Sequence, residues 1–314
     1  MTLGNKYNGD SIYIKAGDND ILIDAGSRSS SASTIKNYVD KYCEDGKLEY
    51  VIATHSDQDH IASFAFSTSL FKQYEVGTLI DFPLSNSDSK TYLSYCENRD
   101  YLLEQGTKHY TAKQCYYETD GAKASYTLGN GLSMSVLYQK YYDTLDTSCE
   151  NNQSVCLLFK QGEKKMLFTG DLEESGCESL LANNDIGTVD LYKGGHHGSV
   201  NANPDSFISA IRPATICTCC VAGSNEYTQN NANTMPYQKT IDNWAKWTDE
   251  VYITTQAVST GVKGSIGEIS DLNGNIEVKY DQAGNKSISG SANSKKLKDS
   301  DWMKNNRTMP DNWK

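Results

Sequence analysis

The chain has 314 residues, 38% of them hydrophobic and 22% charged, enough to bury one large core or two modest ones. A net charge of −11 repels a phosphate backbone and disfavours a general nucleic-acid binder, although a metal site or a local basic groove can still accept a phosphate, so nucleic acid stays a possible partner. No apolar run is long enough to span a bilayer, and the nine cysteines, including the Cys217/Cys220 pair, read as buried reduced thiols rather than a disulfide or zinc framework. No signal peptide precedes Met1-Thr2-Leu3-Gly4. The expected compartment is therefore cytoplasmic by default, and extracellular or cell-surface if an N-terminal signal was removed.

In chain order, Ser11–Lys15 and Ile21–Ile23 predict a hairpin around Gly17-Asp18-Asn19-Asp20. Apolar residues at helical spacing predict a helix over Ser33–Tyr42, leading into a strand at Tyr50–Ala53 and a second helix from Ala62. The segment 90–142 is dense in tyrosine and is a candidate roof over a site, with simple ring packing as the competing reading. Val155–Phe159 and Met166–Phe168 predict a second hairpin. Val189–Tyr192, Ala214–Cys219 and Val251–Ile253 predict further strands, and Gly264–Ile269 with Asn275–Tyr280 a closing hairpin. Residues 1–281 are expected to form one domain. Residues 282–314 are then a C-terminal extension, packed through Trp302 and Trp313 or partly flexible.

A repeated event marks the chemistry: an apolar strand ends in residues that can ligate metal. Ile21–Ile23 ends in Asp24, and Tyr50–Ala53 ends in Thr54-His55-Ser56-Asp57-Gln58-Asp59-His60. Met166–Phe168 leads to Asp171, and Val189–Tyr192 to Lys193, His196, His197 and Ser199. Parallel strand ends on one sheet edge converge in space, and four of the five histidines lie in these runs. Alternation lets His55, Asp57 and Asp59 point one way while His60 swings to a neighbouring position, giving two pairs of ligands for two ions. Asp171 is the natural bridging carboxylate, and His196 or His197 closes the set. Imidazole and carboxylate without cysteine suit zinc, manganese or iron and argue against copper.

These residues resemble the metallo-β-lactamase-fold hydrolases, and more narrowly the hydrolase domain of the competence proteins that import DNA. The matching pieces are G-D-S-I from Gly9, L-I-D-A-G from Leu22, H-x-D-x-D-H from His55, N-x-S-V from Asn152, T-G-D-L-E from Thr169 and G-H-H-G-S from Gly195. They span Gly9 to Tyr280. The resemblance implies an α/β fold, an αββα sandwich of two packed mixed sheets flanked by helices, with metals at one edge. It implies a free-standing relative, because the membrane channel of those proteins is missing. Carried over residue by residue, it gives one metal site from His55 and Asp57 and another from Asp59 and His60. Asp171 bridges them. His196 is favoured as the closing ligand, since it directly follows the glycine-closed strand, and His197 then faces the substrate; the reverse assignment stays open. Two departures stand out. Asp57 replaces a histidine, and Glu150-Asn151-Asn152 occupies the stretch where the family carries another. Both harden the first site with oxygen, favour manganese or a loosely held first ion over zinc, and argue against β-lactam hydrolysis.

The expected function is a metal-dependent hydrolase, most directly a phosphodiesterase using a hydroxide bridged between two divalent metals, zinc or manganese. Asp59 orients that nucleophile, and His197 or a metal-held water protonates the leaving group. Asp24 positions the ligand loops. Lys193 and Ser199 hold a substrate oxygen, or serve only strand-end solvation and a helix N-cap; Asn152 supports the box or only starts a strand. The acidic surface disfavours long DNA and favours a small phosphodiester. The alternatives are a phosphorylcholine-type ester hydrolase and a non-catalytic, metal-stabilised binding module.

Overall fold

The computed structural model describes residues 1–259 and 266–314. The first sheet is built from the hairpin β1 (Ile12–Ala16) and β2 (Asn19–Ile23), then β3 (Lys47–Ala53), β4 (Glu75–Asp81) and β5 (Lys108–Thr111), in that spatial order. Gly17, at φ +60°, turns the hairpin, and β2 to β5 run parallel. Parallel strands need crossovers, supplied by helices α1 (Ser31–Val39), α2 (Gln58–Ile61) and α3 (Lys90–Glu104), while α4 (Ala112–Tyr117) leads on to the second sheet.

The second sheet starts with the antiparallel run β6 (Ser125–Thr127), β7 (Leu132–Leu137), β8 (Cys156–Gln161) and β9 (Lys164–Phe168). After α5 (Glu174–Asn183) it continues in parallel through β10 (Leu191–Lys193), α6 (Asp205–Ile211), β11 (Ile216–Ala222), α7 (Gln238–Ala245) and β12 (Val251–Ala257). The antiparallel β13 (Ile269–Asp271) closes the edge. A separate hairpin, β14 (Ile276–Tyr280) and β15 (Lys286–Gly290), precedes α8 (Asp301–Asn306).

Two cores show the layering. One joins β2, β3 and β4 to α1 and α3 on one side and to Met134, Val136, Leu157 and Phe159 of the second sheet on the other. The other lies on the far face of the second sheet, where Leu158, Leu167 and Ile253 meet α5 to α8. The fold is thus the expected αββα sandwich, with β2 and β3 buried on both faces as parallel strands are. Trp302 and Trp313 are both buried in the second core. The tyrosine-rich segment packs: Tyr95 and Tyr142 are fully buried, and the rings of Tyr116, Tyr117 and Tyr138 meet edge-on or tilted.

Three local expectations are corrected. The helix predicted from Ala62 ends there, because the Ser63 amide bonds to the Ala25 carbonyl (2.7 Å) and Phe66 takes φ +60°, leaving only a helical turn at Leu70–Lys72. The closing hairpin does not form. The amides of Leu272, Asn273 and Gly274 all bond the Thr254 carbonyl (3.0, 3.1 and 3.0 Å), which ties β13 to β12 and leaves β14 to pair with β15. The start of that predicted hairpin, Gly264 and Ser265, lies outside the described residues. Finally, the metal-competent strand ends sit on two sheets rather than one edge: β2 and β3 belong to the first, β9 and β10 to the second.

Candidate metal centre

The first sheet supplies one wall. β2 ends at Asp24, held at φ +57°, a left-handed conformation that costs an L-residue about 1–2 kcal/mol. Four contacts hold it there: its amide donates to the Ile52 carbonyl (2.9 Å), and its carboxylate accepts from the Thr54 amide, the Thr54 hydroxyl and His60 Nδ1, each at 2.8 Å. Two residues on, a Cβ at Gly26 would sit 1.4 Å from the Asp59 carbonyl oxygen, so only glycine lets these loops touch. β3 runs into the box, Asp57 stands at the N-terminus of α2, and that single turn carries Asp59 and His60.

The second sheet supplies the other wall. After β9 the chain turns at Gly170 (φ +54°), and the Asp171 amide donates to Ser154 Oγ (3.1 Å). After β10, His196 and His197 are both left-handed, at φ +44° and +52°. This double turn decides which ring enters. His197 is fully buried, with Nδ1 2.9 Å from the Cys219 carbonyl and Nε2 3.3 Å from Asp59 Oδ2 and 3.4 Å from Asp171 Oδ2. His196 stays at the rim, 19% exposed, with Nε2 3.9 Å from Asp171 Oδ2 and Nδ1 3.8 Å from Glu173 Oε1. Against the preference for His196, it is His197 that the structure turns toward Asp59 and Asp171, because two consecutive left-handed residues direct the second ring inward.

Asp59, His60, Asp171 and His197 each present a ligand atom within 4.8 Å of the others. His60 Nε2 lies 3.1 Å from Asp171 Oδ2, yet His60 Nε2, His55 Nε2 and Asp171 Oδ1 are buried without a well-formed hydrogen bond. Buried polar atoms left bare cost free energy, and donor atoms converging without bonding one another fit a shared cation. The ring of His55 is 4.1 Å from that of His60, and its Nε2 is 3.8 Å from Asp57 Oδ2, on a side chain 45% exposed. Burial, then the charge of His60, pushes His55 down to about 4, so its imidazole is neutral near pH 7. Partial burial and then Asp59 hold Asp57 up at about 6. Against the pull of burial, Asp171 and Asp24 keep His60 well above the ordinary imidazole range, and Asp171 and Asp10 do the same for His197. The carboxylates thus outweigh the cations around them, and a divalent ion suits such a centre.

Of the remaining expected residues, Asp24 lies behind His60 as described. Lys193 does not face the mouth: it is buried in an ion pair with Asp10 and is 3.7 Å from Asp171 Oδ1. Ser199 caps no helix; its hydroxyl donates to Asn201 Oδ1 (2.6 Å), whose amide donates to Glu173 Oε1 (2.6 Å). Asn152 is buried, accepting from the Glu173 amide (3.1 Å) and donating to Asp146 (2.8 Å). The fifth histidine, His109, lies on β5 and pairs with Asp81 at 2.8 Å.

Three residues escaped the sequence reading. Asp10, inside the quoted G-D-S-I, is 3.3 Å from His197 Nδ1. Glu150 accepts from Ser56 and, at 2.7 Å, from Ser85, which ties the box to a distant loop. Tyr227 donates to Asp59 Oδ2 at 3.1 Å. Asp10 escaped because it precedes its strand, β1, whereas the strand-end pattern looked only at residues that follow one, as Asp24 follows β2.

Residues 4–74 match the sequence profile of the metallo-beta-lactamase superfamily. The match contains β1, β2, β3 and the whole box. The chain is 27% identical over 197 residues to ComE operon protein 3 of Bacillus subtilis, covering 62% of this chain and 22% of that one. It is 25% identical over 196 residues to Recombination protein 2 of Haemophilus influenzae, covering 62% and 20%. It thus spans about a fifth of the length of the curated relatives it matches. The metallo-beta-lactamase-fold protein YhfI of B. subtilis superposes with a TM-score of 0.45 at 12% identity, over 86% of this chain and 94% of that one. The resemblance to competence-type metallo-beta-lactamase proteins read from the motifs is borne out. No helix among the described residues is long and apolar enough to cross a membrane.

Proposed function

We propose that the protein is a metal-dependent phosphodiesterase acting on small phosphodiesters. The observation that carries this reading is the cluster of Asp59, His60, Asp171 and His197 with the bare Nε2 of His55 beside it: a nitrogen-and-oxygen donor set with no thiolate. Oxygen-rich sites suit hard divalent ions and phosphoryl chemistry. The Recombination protein 2 likeness supports a phosphodiester over a lactam, and the charge of −11 supports a short one over long DNA.

In this reading Asp59, His60, Asp171 and His197 would hold one divalent ion, zinc or manganese, and His55 with Asp57 would offer donors for a weaker second one. A bound ion supplies Lewis acidity and lowers the pKa of water from 15.7 toward about 7. Asp59 keeps the attacking oxygen aligned. His196, at the rim with Glu173 behind its Nδ1, takes over the proton-donor role expected of His197 and delivers a proton from Nε2 to the leaving oxygen. Asp24 and Asp10 hold His60 and His197 from behind, so that each Nε2 stays turned inward.

The test is metal analysis of protein purified without chelator, followed by manganese-supplemented hydrolysis of bis(p-nitrophenyl) phosphate by wild type and Asp171→Ala. Bound metal with Asp171-dependent cleavage supports the reading. Bound metal with no cleavage by wild type replaces it with a metal-stabilised binding module, and absence of bound metal sinks it.

A further inference from the structure

We propose that Tyr227 is a positioning residue: its hydroxyl fixes the Asp59 carboxylate at the metal centre, and Glu226 holds the loop that presents it. The inference rests on the metal-centre reading above.

Tyr227 lies 168 residues from Asp59 in sequence, on the loop that leaves β11, and its hydroxyl reaches Asp59 Oδ2 at 3.1 Å. The residue is 48% exposed, so ring burial does little to hold it and the hydroxyl is its anchored end. The preceding residue is pinned on three sides. Glu226 Oε2 accepts from the Asn8 amide (2.8 Å) and from Asn8 Nδ2 (3.0 Å), and Oε1 lies 3.4 Å from Arg28. Asn8 in turn accepts from the Val221 amide at 2.9 Å, and the Arg28 guanidinium lies 3.6 Å over the Tyr7 ring. The loop from the second sheet is thereby clipped onto the start of the first, directly beside the residues that hold Asp59.

The chemistry gives this clip a purpose. Asp59 Oδ2 faces two partners, His197 Nε2 at 3.3 Å and the Tyr227 hydroxyl. Once His197 Nε2 gives its lone pair to a cation it has no proton for Asp59. The Tyr227 hydroxyl then remains the hydrogen-bond donor to that oxygen and helps hold the carboxylate in orientation. A hydrogen bond to a charged acceptor is among the stronger ones, and partners behind a ligand commonly tune metal affinity 10–100-fold. Because Tyr227 is half exposed and its hydroxyl meets Asp59, its loss should disturb the geometry of the cluster more than it disturbs folding.

The test is manganese titration by calorimetry on full-length wild type, Tyr227→Phe, Glu226→Ala and the double variant, with melting in chelator as the fold control. Tyr227→Phe should bind manganese roughly tenfold more weakly, with the metal-free melting temperature unchanged. Glu226→Ala should weaken binding in the same direction, and adding Tyr227→Phe to it should weaken binding little further, since both act through one hydrogen bond. With a phosphodiester substrate, kcat should fall while KM holds. Wild-type affinity and kcat in Tyr227→Phe would overturn the inference, as would additive effects in the double variant. The titration needs no substrate, so a wild type that binds manganese but cleaves nothing defeats the phosphodiesterase reading and leaves this comparison decisive. A wild type that binds no manganese overturns both.

Discussion

His60 Nδ1 lies 2.8 Å from Asp24 Oδ2, and the same carboxylate takes the amide and hydroxyl of Thr54. An aspartate at the end of one strand thus sets the tautomer and tilt of an imidazole at the end of the next, leaving Nε2 toward Asp171. Asp24→Asn keeps the shape and tolerates the left-handed backbone, yet removes the charge that orients His60. Metal affinity measured by calorimetry should fall about 10–100-fold, with a far-ultraviolet spectrum like wild type. Unchanged affinity would reduce Asp24 to a structural role.

The two adjacent histidines should separate cleanly. His197→Ala removes a donor from the cluster and should abolish tight binding of one metal equivalent. His196→Ala should leave the metal content intact and lower kcat by about 10²–10⁴-fold if it is the proton donor. Metal content by inductively coupled plasma spectrometry, set beside turnover, checks both. Loss of metal in the His196 variant would reverse the assignment.

Bound metal should stabilise the fold. At about 100 times the dissociation constant, a ligand selective for the native state adds roughly 2.7 kcal/mol. Wild type should therefore melt several degrees higher with manganese than with chelator, and Asp171→Asn should show no such difference. A metal-induced rise of equal size in the variant would exclude Asp171 as a ligand.

Far from the centre, Asp249 sits between Lys298 (2.5 Å) and Lys296 (3.0 Å), fastening the C-terminal segment to the start of β12. Hydrogen bonds from Lys298 and then Lys296 hold its pKa below the usual carboxylate range. A depressed native pKa stabilises the fold above the unfolded value, near 3.9, and that stability is lost as pH falls through the native value. Wild type should exceed Asp249→Asn in stability at pH 6 by no more than about 1 kcal/mol, since the pair is partly exposed. Urea midpoints for the two should converge as pH falls through the depressed native pKa of Asp249. A gap that persists below it would assign the effect to packing rather than charge.

What the sequence disclosed follows from where physical constraint is local. Ile21–Ile23 and Val51–Ala53 read as buried strands because both faces demand apolar residues, and the box after Ala53 is legible because its spacing repeats within six residues. The choice between His196 and His197 was not legible, since it depends on two left-handed backbone angles that no side-chain pattern encodes. Tyr227 was hidden for another reason: its partner is remote, and a tyrosine among Asn, Gln and Thr reads as loop. The break after Ala62 was missed because the Ala25 carbonyl competes for the Ser63 amide, a tertiary contact that overrides local helix spacing.

The buried ammonium of Lys193, between Asp10 and Asp171, has a consequence for assembly. It is a permanent counter-ion sewn into the floor of the centre, so the two sheets can close on their acidic residues before any metal arrives. The same ammonium would oppose any cation entering the centre, since one positive charge is already in place beside Asp171.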